Sequence, residues 1–217
     1  MSLKLLKSTF TVGGMTTLSR IFGLLRDIVI ARLFGPGLGV DVFIVAFRIP
    51  NFLRRLFAEG GFSQAFVPVL AEYKEQRSEE EVKALVDQTA ASLGLVLFLV
   101  TAVGVLISPI LISLFAPGFI DEPEKHTLAS DLLKITFPYI LFISLTAFAG
   151  SILNTYQQFA VPAFTPVLLN LSLISCAIWL APQMETPIMA LAWGVFIAGV
   201  VQLLFQLPFL FRIRMLP

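Results

Sequence analysis

The sequence is poor in the residues that usually carry catalysis or cross-link a small domain. It has one cysteine and one histidine among 217 residues, and only 13% of its residues are charged. A lone Cys176 cannot form an intramolecular disulfide, so we expect a buried small apolar residue there. His126 falls in a predicted extramembrane loop. The sequence contains no Cys/His metal spacing, no glycine-rich phosphate loop and no nucleophile elbow, so no metal site, cofactor or enzymatic activity is expected.

The sequence is instead rich in apolar residues. Hydrophobic residues make up 57% of it, and the mean hydropathy is +0.90. A soluble domain of this length needs more polar surface than so few charges supply. The net charge of +1 gives no cationic excess that would attract nucleic acid. The composition therefore predicts an all-α integral membrane protein.

Apolar runs long enough to cross a bilayer divide the chain. A membrane span needs about 20 mostly apolar residues. We predict a bundle of six transmembrane helices at approximately 5–34, 40–57, 89–115, 135–153, 161–181 and 187–211. The first two are interrupted by charges. A connection at 59–81, amphipathic at first and then highly charged, separates the second span from the third.

The basic residues predict the orientation of these spans. In a six-span arrangement, most of those near span ends fall on one side of the membrane, namely Lys4, Lys7, Lys74, Arg77, Lys83, Arg212 and Arg214. Basic residues concentrate on the cytoplasmic side of membrane proteins. We therefore predict that the N-terminus and the C-terminus of this chain are cytoplasmic.

Three local motifs predict where helices begin and end. Ser78 and Glu81 have the spacing of a capping box, which starts a helix. The glycines of Gly35–Gly39 predict a tight turn between the first two spans. Thr186 followed by Pro187 predicts an N-cap and the first helical position of the last span.

Arginines cluster in the first two spans. Between residues 20 and 55 there is no lysine, and the charged residues are Arg20, Arg26, Asp27, Arg32, Asp41, Arg48, Arg54 and Arg55. A charge near the centre of a bilayer costs about 3 kcal/mol on insertion scales. Arg32 lies close enough to a helix end to extend its side chain to the interface. Arg20 and Arg26 do not, so we expect them to face protein or a hydrated cavity.

The choice of arginine indicates the kind of ligand. A guanidinium is always charged, and its planar fork of donors matches phosphate and carboxylate. The arginines outnumber the neighbouring acids, which leaves an anionic ligand as their simplest partner. Local roles remain open for some residues. Arg55 and Glu59 have the spacing of an ion pair on one helix face. Arg48 could cap the carbonyls that Pro50 frees, and Asn51 could hydrogen-bond to open backbone beside the same proline.

Several sequence blocks resemble the MurJ (MviN) family of lipid II flippases. The most distinctive reads DVFIVAFRIPNFLRRLFAEG at Asp41–Gly60 and FSQAFVP at Phe62–Pro68. The others are SRIFGLLRD at Ser19–Asp27, ARLFG at Ala31–Gly35, FPYI at Phe137–Ile140 and ILNT at Ile152–Thr155. The resemblance covers essentially the whole chain.

The resemblance implies a bacterial inner-membrane transporter of the multidrug/oligosaccharidyl-lipid/polysaccharide exporter superfamily. Such proteins move lipid II, the undecaprenyl-pyrophosphate-linked peptidoglycan precursor, across the membrane by alternating access. The positions that match the family's central cavity are Arg20, Arg26, Asp27, Asp41, Asn51 and Arg54. The arginines would bind the pyrophosphate of the substrate, and Asp27 would orient its neighbours.

The chain departs from this family in length. Family members have about fourteen spans in two lobes, so this chain resembles the N-terminal lobe alone. The implied partners are lipid II, the membrane, the missing C-terminal lobe and other proteins of cell-wall synthesis. Two alternatives stay open: a scaffold whose arginines bind anionic lipid headgroups without transport, and another exporter of the same superfamily. A cation-coupled drug exporter would be expected to carry acids in its cavity instead of arginines.

Overall fold

The structure, a computed structural model, describes residues 3–54 and 61–217, which form helices joined by short turns and contain no β-strand. This confirms the predicted all-α class. The α-helices are α1 (Leu3–Phe34), α2 (Leu38–Arg54), α3 (Gly61–Gln76), α4 (Glu79–Leu106), α5 (Ser108–Phe115), α6 (Pro123–Thr136), α7 (Tyr139–Thr155), α8 (Ala160–Ser175) and α9 (Met189–Arg212). A π-helical turn at Cys176–Leu180 continues α8.

Four helical stretches are long and apolar enough to cross a membrane. They are Glu79–Leu106, Pro123–Thr155, Ala160–Gln183 and Met189–Arg212. Within the described residues, α1 and α2 do not reach this standard, because α1 carries internal arginines and α2 has only 17 residues. The membrane boundaries of the six predicted spans, and their number, stay a prediction.

Two of the predicted spans contain a break in the helix. The segment 89–115 is divided at Ile107, where α4 ends and α5 starts with Pro109 in its first turn. Proline has no N–H to donate to the preceding turn. The hydroxyl of Ser108 lies 3.0 and 2.8 Å from the carbonyl oxygens of Gly104 and Val105, and its single proton is shared between these two acceptors at the break. The second break separates α6 from α7 at Phe137 and Pro138.

Two of the three predicted local motifs are confirmed, and one is wrong. The capping box is confirmed: the Glu81 N–H donates to Ser78 Oγ at 3.3 Å, and the Ser78 N–H donates to Glu81 Oε2 at 3.1 Å. The predicted turn is also present, with Gly35 at φ +65°. The predicted start of the last helix is wrong, because α9 begins at Met189. The Met189 N–H donates to the Thr186 carbonyl at 3.0 Å, so the chain makes a turn there before the helix begins.

The core joins the later helices and α2. Its largest cluster combines side chains of α2, α6, α7 and α9, including Val42, Ala46, Leu132, Tyr139, Ile140 and Val195. A second cluster lies under α3, where Phe66 and Leu70 pack with Phe148 and Ile152. The segment predicted as a connection at 59–81 thus includes a helix that lies against the end of α7. Residues 55–60, with the proposed Arg55–Glu59 pair, lie outside the described residues.

The first two helices separate after their turn. Helix α1 packs most extensively on α8, whereas α2 packs most extensively on α6. Because the two partners are different, the turn at Gly35 forms the apex of a cleft between α1 and α2. Two of the arginines that the sequence singled out, Arg26 and Arg48, line this cleft.

Candidate functional site

A cavity of about 550 Å³ occupies the cleft between α1 and α2. Most of its wall is apolar. Its polar side chains are Arg26, Asp27, Arg48 and Asn51, and its apolar lining includes Ile30, Val40, Phe43, Ile44, Phe47 and Leu173. An apolar pocket with a few convergent polar groups is typical of a ligand site.

Arg26 is held on two sides. Its Nε and Nη2 donate to Asp27 Oδ1 at 2.9 and 2.7 Å, and its Nη1 donates to Asn170 Oδ1 at 3.0 Å. The Arg26 side chain is 27% exposed and that of Asp27 is 64% exposed. The guanidinium is therefore anchored against protein, while its carboxylate partner remains accessible.

Asn170 links α8 to α1 and was not among the predicted site residues. It is 6% exposed. Besides accepting from Arg26, it donates from Nδ2 to the Ser19 carbonyl oxygen at 3.2 Å. The signal that could have found it is an amide in the middle of an apolar run, since a polar group in lipid requires a partner. The sequence could not say which helix supplies that partner.

Helix α2 provides the other wall of the cavity. Asn51 accepts a hydrogen bond from Nε of Arg54 at 3.1 Å, three residues along the helix. Arg48 is exposed and lines the cavity. Within residues 3–54 and 61–217, no hydrogen bond or ion pair is found for Arg48, so the capping role considered for it is not observed. Arg48 lines the cavity and was missing from the predicted set.

The structure brings together only part of the predicted site. Arg26, Asp27 and Asn51 line the cavity. Arg20 is exposed on α1, and Asp41 is exposed in the first turn of α2, where a carboxylate favours the positive end of the helix dipole. Arg54 is adjacent to the cavity through its hydrogen bond to Asn51. Ligand contacts by any of the six predicted residues stay a prediction.

The charges of the cavity favour an anion. Two arginines and one aspartate line it, which leaves one positive charge in excess. The Arg26 charge is already paired with Asp27 at 2.7 Å. Arg48 therefore carries the excess positive charge of this cavity. Among the described residues, no group of three His, Cys, Asp or Glu side chains could hold a metal ion.

Comparisons with known proteins all point to one family. The family described as lipid II flippase MurJ matches residues 30–217. A Vibrio cholerae protein named "probable lipid II flippase MurJ" is 51% identical over 97% of this chain and 42% of its own length. The Burkholderia cenocepacia lipid II flippase MurJ is 47% identical over 99% of this chain and 42% of its own length.

One solved structure has a similar fold. A lipid II flippase MurJ in an inward closed conformation aligns with a TM-score of 0.75 and 33% identity, over 89% of this chain and 40% of that one. The chain thus spans about two-fifths of the length of the proteins that it matches.

Proposed function

The chain belongs to the lipid II flippase MurJ family, and on that premise we propose that it is the substrate-binding N-terminal lobe of a transporter for a lipid-linked peptidoglycan precursor. In this proposal the cavity between α1 and α2 receives the diphosphate of the lipid. The complete transporter moves that lipid across the bacterial inner membrane. The chain acts as a transporter component without catalysing a chemical reaction.

The observation that carries the proposal is the placement of Arg26 and Arg48 around a single cavity. Both line the same cavity, one on each of its two helices. A diphosphate offers several anionic oxygens, and a guanidinium contacts such oxygens through paired N–H donors. Arg26 would supply an anchored contact. Arg48 would supply the excess positive charge, because the charge of Arg26 is already paired with Asp27.

The apolar lining suits the rest of such a ligand. Phe43, Phe47 and Leu173 lie on the wall of the same cavity as the two arginines. Apolar surface of this kind stabilises a bound hydrocarbon chain by removing it from water. A lipid with a diphosphate head matches both kinds of surface. A soluble diphosphate would use only the arginines.

Transport requires more than this lobe. Alternating access commonly arises when two repeats or lobes rock against each other around a central site. We therefore include a C-terminal lobe, the membrane and proteins of cell-wall synthesis as partners in the proposal. The distribution of basic residues supports cytoplasmic N- and C-termini for this chain.

A binding measurement tests the proposal. The chain in lipid nanodiscs is titrated with undecaprenyl diphosphate and, in parallel, with undecaprenol, which has the same hydrocarbon chain without phosphates. We expect the diphosphate to bind more tightly. Arg26→Ala should remove most of that difference, whereas Arg32→Ala, at the end of α1 and outside the cavity lining, should preserve it.

The same titration separates the alternatives. If phosphatidylglycerol competes as well as undecaprenyl diphosphate does, the chain is an anionic-lipid scaffold and the proposal is wrong. If a lipophilic cation binds in preference to both, the protein is a drug exporter. In the complete transporter, Arg26→Ala and Arg54→Ala should impair precursor translocation and growth, and normal growth of both variants would contradict the proposed function.

A further inference from the structure

We propose that Asn170 is a positioning residue, which holds the Arg26 guanidinium in the orientation that binds the anionic ligand. This inference rests on the proposed function, in which Arg26 contacts the diphosphate. Asn170 belongs to α8 and is buried, so it reaches the cavity only through Arg26. Nothing in the sequence motifs of the first two helices assigns it a role.

Both ends of the Asn170 amide are engaged. Its oxygen accepts from Arg26 Nη1 at 3.0 Å, and its nitrogen donates to the Ser19 carbonyl oxygen at 3.2 Å. Reversing the amide would face nitrogen donors toward the guanidinium and oxygen toward a carbonyl oxygen. The hydrogen-bond partners therefore fix the orientation of the amide. A fixed amide in turn fixes the terminal nitrogen that it contacts.

The donors of Arg26 show what this arrangement leaves available. A guanidinium has five N–H groups. Those used in the structure come from Nε and Nη2, which donate to Asp27, and from Nη1, which donates to Asn170. One N–H remains on each terminal nitrogen. Each of these two N–H groups can donate to an anionic oxygen of the ligand.

The link also crosses between helices. Ser19 and Arg26 lie two turns apart on α1, and Asn170 contacts both from α8. One amide thus ties α8 to α1 and also fixes the direction of the Arg26 side chain. A purely structural residue would do the first without the second. The two possibilities differ in whether the effect of Asn170 on ligand binding depends on Arg26.

A double-mutant cycle makes this distinction. Undecaprenyl diphosphate is titrated into nanodiscs that contain wild type, Asn170→Leu, Arg26→Gln or the double variant. We expect Asn170→Leu to weaken binding by about tenfold, as loss of a charge-assisted hydrogen bond does. In the Arg26→Gln background the same change should have no further effect. Asn170→Gln, which keeps the amide, should recover part of the affinity.

Gln202 provides the matched control. It is a second buried amide in the bundle, and it donates to the Thr165 carbonyl of α8 from α9 at 2.9 Å. It does not line the cavity. Gln202→Leu removes a buried amide hydrogen bond between helices and should leave the affinity for undecaprenyl diphosphate unchanged.

A measurement without ligand keeps the two proposals separable. In arginine-labelled protein, a restrained guanidinium gives separate ¹⁵N resonances for Nη1 and Nη2, and a freely rotating one gives an averaged signal. Because Asp27 still holds Nε and Nη2, we expect Asn170→Leu to reduce the separation of the Arg26 Nη1 and Nη2 signals without abolishing it. Unchanged Arg26 signals, or an equal loss of affinity in the Arg26→Gln background, would overturn the role of Asn170. If wild type binds no diphosphate lipid, the proposed function fails, and the Arg26 signals still decide whether Asn170 positions Arg26.

Discussion

Replacing Gly104 by alanine is expected to disrupt the packing of α4 against the break between α6 and α7. A Cβ atom at Gly104 would lie 2.0 Å from Cε1 and 2.1 Å from Cζ of Phe137. Non-bonded carbons are normally about 3.5–4.0 Å apart, so the ring or the helix would have to move by roughly 1.5 Å. Phe137 is only 2% exposed and belongs to the main core, which leaves the ring little room.

The magnitude follows from two opposing effects. Overpacking of a core costs about 1–3 kcal/mol, and this contact is severe enough to place the cost at the upper end. Alanine recovers up to about 1 kcal/mol over glycine in a helix interior. We therefore expect Gly104→Ala to lower the free energy of unfolding by about 2 kcal/mol. Unfolding by dodecyl sulfate in mixed micelles, followed by circular dichroism, measures this change.

The same helix offers a control. At Gly94 an added Cβ would meet nothing within 4 Å, so Gly94→Ala should be neutral or stabilising. Combining Gly104→Ala with Phe137→Leu removes the ring atoms that clash and should restore part of the loss. If Gly104→Ala proves as stable as Gly94→Ala, the close packing of Gly104 on Phe137 is refuted.

Three further predictions concern the cavity and the start of α4. Asp27→Asn keeps an acceptor for Arg26 but removes the charge, so the affinity for undecaprenyl diphosphate should rise by up to about fivefold, since an exposed pair is worth up to about 1 kcal/mol; a fall in affinity would contradict this. Arg48→Gln should weaken the same binding by about tenfold, with Arg48→Lys intermediate and Arg32→Gln unchanged; equal binding by all three would remove Arg48 from the site. Ser78→Ala should cost about 1 kcal/mol of stability by removing the helix cap, detectable as faster hydrogen exchange in the first turn of α4; unaltered exchange there would argue against the cap.

Much of the fold was predictable because its signals are local. The capping box of Ser78 and Glu81 and the turn at Gly35 depend on residues a few positions apart, and both are confirmed. The predicted start of the last helix was wrong, because a Thr-Pro pair fits a turn as well as an N-cap. The predicted helical region at 89–115 extends over two helices, since a run of apolar residues does not reveal a break at Ile107.

The candidate site was predictable only in part. The arginine cluster identified Arg26, and the cavity that it lines was expected from the cost of burying charge. A capping role was left open for Arg48 because it precedes Pro50, and the structure places it on the cavity lining. Asn170 lies 144 residues from Arg26 in the sequence, and no local pattern relates them.

The sequence by itself determined that this is a helical membrane protein of the flippase family with excess positive charge in its first two helices. Composition, periodicity and motif identity are properties of the chain, and they do not depend on how its helices are arranged. The tertiary structure decided which of those charges share a cavity. That outcome depends on α1 packing against α8 while α2 packs against α6. The divergence of α1 from α2 opens the cleft, and the packing of α1 on α8 brings Asn170 within hydrogen-bond distance of Arg26.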